Sequence, residues 1–109
     1  MGLDVKQTVE AALAAMKPIL GPNWNTIQAY ASNEFDKLAK TLAQIEAQKL
    51  TNQISEQQAN ILFDMQKNAS AAVLAAVQGI GAEAANRAVN AGLAAIKDPI
   101  NKALGFQLL

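Results

Sequence analysis

Apolar residues recur at spacings of three and four along nearly the whole chain, with polar residues filling the positions between. That is the pattern of amphipathic helices and not of strands. The cleanest run is Trp24, Ile27, Ala31, Phe35, Leu38, Leu42 and Ile45, which predicts a helix with a narrow seam able to pack against a neighbour at a shallow crossing angle. Glu34 and Lys37, Asp36 and Lys40, and Glu46 and Lys49 stand three or four residues apart and read as ion pairs on its solvated side. The seam starts after Gly21-Pro22-Asn23, a turn that allows the helix to begin at Pro22 or Trp24, with Gly21 or Asn23 as the cap.

A shorter helix precedes that turn. Asp4 caps it, Gln7 stands three residues on as in a capping box, and Val5, Val9, Ala12, Leu13, Met16 and Leu20 share one face. Pro18 removes an amide donor and disfavours helical geometry at Lys17, so the helix is expected to end or kink near Met16.

Beyond Ile45 the seam fades at Thr51-Asn52-Gln53-Ile54, and Ser55-Glu56-Gln57-Gln58 forms a capping box for a third helix. A hairpin is expected here, although one long helix from Trp24 to Gln78 is the competing reading, because no proline forbids it. The third helix places Ile54, Gln58, Ile61, Met65, Ala69, Ala72 and Ala76 on one line, flanked by Leu62, Val73 and Val77. This line is large in its first half and small in its second, so the stretch from Ala69 to Ala76 is expected to lie close against the equally small fourth helix. Gly79 suits a left-handed position after the third helix, and Gly81 can cap the fourth, where Glu83 favours the helix dipole and pairs with Arg87. Ala85, Ala88, Val89, Gly92, Leu93 and Ile96 continue that helix until Asp98-Pro99 is expected to break it and restart a turn or two through Ile100 and Leu104 to Gly105.

The expected fold class is therefore all-α: antiparallel helical hairpins forming a three- or four-helix bundle with an Ala/Gly helix–helix interface, in one domain spanning residues 1–109.

Composition thins the expected core. Hydrophobic residues make up 51% of the 109, but 23 of them are Ala, and twelve of those fall between Ala69 and Ile96. Each alanine buries little of the area that must offset chain entropy. Small domains with this deficit commonly recover area by association. A homodimer or higher homo-oligomer is expected, using the small-residue faces at Ala72, Ala76, Gly79, Gly81 and Gly92 or the apolar tail Phe106, Leu108 and Leu109. That tail can instead meet another protein, or fold back over Trp24 and Phe35 and leave the chain monomeric.

Charge removes other partners. Nine Lys and Arg balance nine Asp and Glu, and the cations are scattered from Lys6 to Lys102, so no basic stripe exists to bind nucleic acid. The 15 uncharged residues between Lys67 and Glu83 would cover only about 22 Å as helix, short of the roughly 30 Å hydrocarbon core. A membrane-surface role stays as the alternative to a protein-interaction role, weakened by the scarcity of Lys and Arg around Asn68 to Ile96. The first residues lack a basic region followed by an apolar one, so no signal peptide is expected, and a cysteine-free chain suits the reducing cytoplasm.

With no Cys and no His, thiol nucleophiles, imidazole bases and Cys-His zinc sites are excluded by composition. Gly79-Ile80-Gly81 lacks the third glycine and the preceding strand of a dinucleotide fingerprint. Ser32, Ser55 and Ser70 lie in no nucleophile-elbow pattern. No catalytic residue, cofactor or metal is expected, and the function predicted is a non-enzymatic interaction module.

Overall fold

The computed structural model describes residues 4–77 and 80–109, which form four helices and no strand. They are α1 (Val5–Leu20), α2 (Trp24–Leu50), α3 (Glu56–Ala76) and α4 (Gly81–Leu104), with a single 3-10 turn, Gly21–Asn23, joining the first two. Each consecutive pair packs together, α4 also packs along α1, and α2 touches α4 only across the diagonal. Short connections and this neighbour order define an up-and-down four-helix bundle. Buried side chains from all four helices form one contiguous core.

The long seam of α2 lies where its spacing predicts: Ile27, Ala31, Phe35, Leu38, Leu42 and Ile45 are buried, and Trp24 is half-buried at the start of the helix. The charged side is less uniform than expected. Lys37 reaches Glu34 at 3.1 Å and Lys40 reaches Asp36 at 2.9 Å, yet Glu34 and Glu46 are buried. A helix with neighbours on two sides, α1 and α3, covers more than its narrow seam. Lys49 pairs with Glu56 of α3 at 3.8 Å.

Thr51 to Ile54 does form the hairpin turn, and the long-helix alternative fails at Asn52, whose φ of 57° is left-handed and incompatible with a continuing α-helix. Ser55 and Gln58 complete the capping box, with the Gln58 amide donating to Ser55 Oγ at 3.1 Å and the Ser55 amide donating to Gln58 Oε1 at 2.9 Å. At the first helix, the Gln7 amide donates to Asp4 Oδ1 at 3.0 Å.

Neither internal proline ends its helix. α1 runs through Pro18 to Leu20, and α4 runs through Pro99 to Leu104. In each case the proline and the residue four before it, Ala14 or Ala95, are exposed, so the carbonyl deprived of an amide partner lies on the solvated side. Residues on the opposite side hold the helix beyond the proline: Leu20 in α1, and Ile100 and Leu104 in α4, are all buried. What stops α1 is Gly21, whose φ of 51° lies in the half of backbone space that a side chain resists. The left-handed position expected at Gly79 falls outside the described residues, but Gly81 holds a φ of 79° where α4 begins.

Candidate interaction surface

α3 differs from its sequence reading in the face it turns inward. Its buried residues are Ala59, Phe63, Ser70 and Leu74, while Ala71 and Ala75 are half-buried. The line of Gln58, Ile61, Met65, Ala69, Ala72 and Ala76 is exposed, so its small second half does not turn toward α4 as expected. Only Ile54, in the turn before the helix, is buried. Ile61, Leu62 and Phe63 are consecutive, which makes the helix apolar on more than one side, and such a helix does not announce its inner face. Within the bundle, the small Ala59 and Ser70 leave room beside the large Phe63 and Leu74 for α3 to seat between α2 and α4.

The outcome is an exposed apolar strip. Four of the seven exposed large hydrophobic side chains belong to α3: Ile61 is 55% exposed, Met65 65%, and Leu62 and Val73 39% each. The other three, Ile19, Tyr30 and Leu50, are spread over α1 and α2, and isolated exposed apolar residues are ordinary on any protein. Fully burying such a side chain from full exposure is worth about 1.5–3 kcal/mol, and with 39–65% of each of the four still exposed, roughly half of that is unrealised in a single chain.

Two shallow clefts of about 340 Å³ each run beside the strip, with Leu62 shared between them. One is lined by Gln48, Gln53, Ile54, Gln58 and Ile61, and the other by Thr41, Gln44, Ile45, Met65, Gln66 and Ala69. No charged residue lines either cleft. Gln48 Oε1 is buried there without a hydrogen-bond partner among the described residues, an acceptor whose desolvation is uncompensated.

The remaining candidate residues are placed differently. Ala72 and Ala76 are on the exposed strip, Gly81 is exposed at the start of α4, and Gly79 lies outside the described residues. Gly92 is buried inside the bundle, where an added Cβ would stand 2.6 Å from Phe35 Cζ and 3.2 Å from Met16 Cγ. It serves the approach of α4 to α1 and α2 and presents nothing to a partner.

Phe106, Leu108 and Leu109 are half-buried against the chain's own core. They do not fold over Trp24 and Phe35. Leu108 and Leu109 sit beside Phe63, Leu93 and Lys97, and Lys49, at the far end of α2 from Trp24, lies 5.5 Å from the Phe106 ring centre. The 27 residues of α2 rise about 40 Å, a span that the four residues after Gly105 cannot cover from the far end.

Asn101 holds this tail. Its Oδ1 accepts the amides of Leu108 and Leu109 at 2.9 Å each, and its Nδ2 donates to the Leu109 carbonyl at 3.4 Å. Sequence reading singled out the tail but not its clamp, because an Asn in the last turn of a helix has no pattern that distinguishes it. Asn101→Ala is expected to cost about 1–2 kcal/mol and to release the tail. Hydrogen exchange at the Leu108 and Leu109 amides checks this: rates unchanged from the parent protein would show that packing alone holds the segment.

Among the described residues, no three acidic side chains come together to hold a metal ion, and no helix is long and apolar enough to cross a membrane. No protein-family model, curated protein or solved structure matches the chain.

Proposed function

We propose that the protein is a non-enzymatic interaction module that associates with itself through the outer face of α3. The observation that carries this reading is the strip of Ile61, Leu62, Met65 and Val73, four large apolar side chains left in water on one helix of a small bundle. Contiguous exposed apolar surface of this kind marks interaction sites. Tail-mediated docking is the weaker route, because Phe106, Leu108 and Leu109 are already half-buried and Asn101 holds the last two.

A membrane surface would need the same strip with cations along its edges. Lys67 is the only basic residue in α3, and the clefts beside the strip are uncharged. Protein partners are favoured on that contrast.

Sedimentation equilibrium over a hundredfold concentration range tests the reading, with flotation on anionic vesicles at low salt run beside it. The mass is expected to rise above the 11.5 kDa of one chain as concentration increases, and Met65→Glu, at an exposed position, is expected to hold it there. A parent protein that stays at 11.5 kDa throughout, or one that leaves solution for vesicles, overturns the assignment.

A further inference from the structure

Resting on that reading, we infer that α3 docks on α3 of a second copy in antiparallel orientation, about a two-fold axis passing near Asn68 and Ala69. The strip is divided by size. Its first half presents Ile61, Leu62 and Met65, and its second half presents Ala69, Ala72 and Ala76, with Val73 at the edge, all exposed. A two-fold axis between Asn68 and Ala69 sets Met65 opposite the partner copy's Ala72, and Ile61 opposite its Ala76. Large residues then meet small ones at both ends, and the two helices stay evenly spaced along the contact. A parallel pair would place large against large and alanine against alanine, leaving one end splayed and the other unfilled, which close packing does not tolerate.

Charge fits a second copy as the occupant, and the area fits a weakly associating one. Gln58, Asn68 and the apolar residues of the strip carry no charge, and Thr41, Gln44 and Gln48 of α2 flank it without adding any. The α3 residues of two such strips therefore meet with no like-charge pair, the usual obstacle to self-docking. The stretch from Gln58 to Ala76 rises about 28 Å and is about 12 Å wide. Two copies then cover about 670 Å² along α3, below the roughly 1,200 Å² of standard specific interfaces, and the α2 flanks add to it, which places the pair among weak, transient contacts. Closed two-fold pairs are the commonest homo-oligomers, and one of this size is concentration-dependent.

The chain has no cysteine, so single cysteines report the arrangement cleanly. Three full-length variants are needed, Ile61→Cys, Ala69→Cys and Ala76→Cys, all at exposed positions and each checked for parent-like helicity. Under mild oxidation, Ala69→Cys is expected to form a disulfide-linked homodimer. Ile61→Cys and Ala76→Cys are expected to crosslink with each other when mixed, at least tenfold faster than either does alone. Fast self-crosslinking of Ile61→Cys and Ala76→Cys separately would show a parallel pair and overturn the inference while leaving self-association through α3 intact. Slow crosslinking of all three in a protein that sediments as a dimer would move the interface off α3 and overturn both. A size exchange gives a second reading: Ala72→Met is expected to weaken association at least tenfold, and adding Met65→Ala to it to restore most of the loss. Failure of the double variant to recover would show that the two positions do not face each other.

Discussion

Gly92→Val is expected to destabilise the bundle by about 3 kcal/mol, near the upper end for overpacking a filled core. A Cβ at this position would already stand 2.6 Å from Phe35 Cζ and 3.2 Å from Met16 Cγ, closer than carbon atoms pack. Phe35 is 1% exposed and Met16 fully buried, so neither can swing aside into solvent. Valine then adds two methyl groups to a space that has none. Gly92→Ala should cost less, about 1 kcal/mol, since the strain is partly offset by up to about 1 kcal/mol of helix propensity gained over glycine. Thermal melts check both variants, with a Tm lowered by on the order of 10 °C or more for Val. Phe35→Leu in the Gly92→Val background should recover part of the loss, because residues in contact do not add independently. A Tm equal to that of the parent would mean that α4 does not approach Phe35 closely.

The second large effect is expected at Ile100. Beyond Pro99 the last turns of α4 lack one backbone hydrogen bond, and a proline inside a helix costs about 3 kcal/mol. The burial of Ile100 and Leu104, at about 1.5–3 kcal/mol each, is what offsets that cost. Ile100→Ala is therefore expected to lose about 2–5 kcal/mol and to increase hydrogen exchange from residue 100 onward more than at Leu93. Lys97→Ala, at an exposed position one turn earlier, is expected to change little. Uniform protection along α4 in the Ile100→Ala variant would show that the helix passes Pro99 without needing this anchor.

These two sites also mark what the sequence could and could not disclose. The seam of α2 and the Ser55–Gln58 capping box were legible because each is a local pattern whose physics is complete within a few residues. A helix end at Pro99, and the same outcome at Pro18 where a kink is the alternative, does not occur because a local rule, that proline ends a helix, gives way to burial of Leu20, Ile100 and Leu104, which depends on neighbours distant in sequence. Gly92 was noticed as a small residue, but its purpose required knowing that Phe35 crosses the bundle to meet it. For α3 the difficulty was of another kind. Two apolar stripes compete on one helix, and the one with more large residues, Ile61, Leu62 and Met65, is the one left outside. Ala72 and Ala76, candidate interaction residues, are exposed on that stripe in line with Ile61 and Met65.

The ring of neighbours α1, α2, α3, α4 also sets how unequal the chain's own help is in assembling the bundle. Three of its four seams join helices consecutive along the chain, with α2 and α3 separated by only the residues from Thr51 to Ser55. The fourth, between α1 and α4, must bring together segments with the sixty residues from Gly21 to Ile80 between them. Loop closure of that length carries a larger entropy cost than any hairpin in the molecule. Connectivity keeps the consecutive helices near one another, whereas α1 and α4 are held only by how well they fit. Gly92, set against Met16 of α1, lies on that seam.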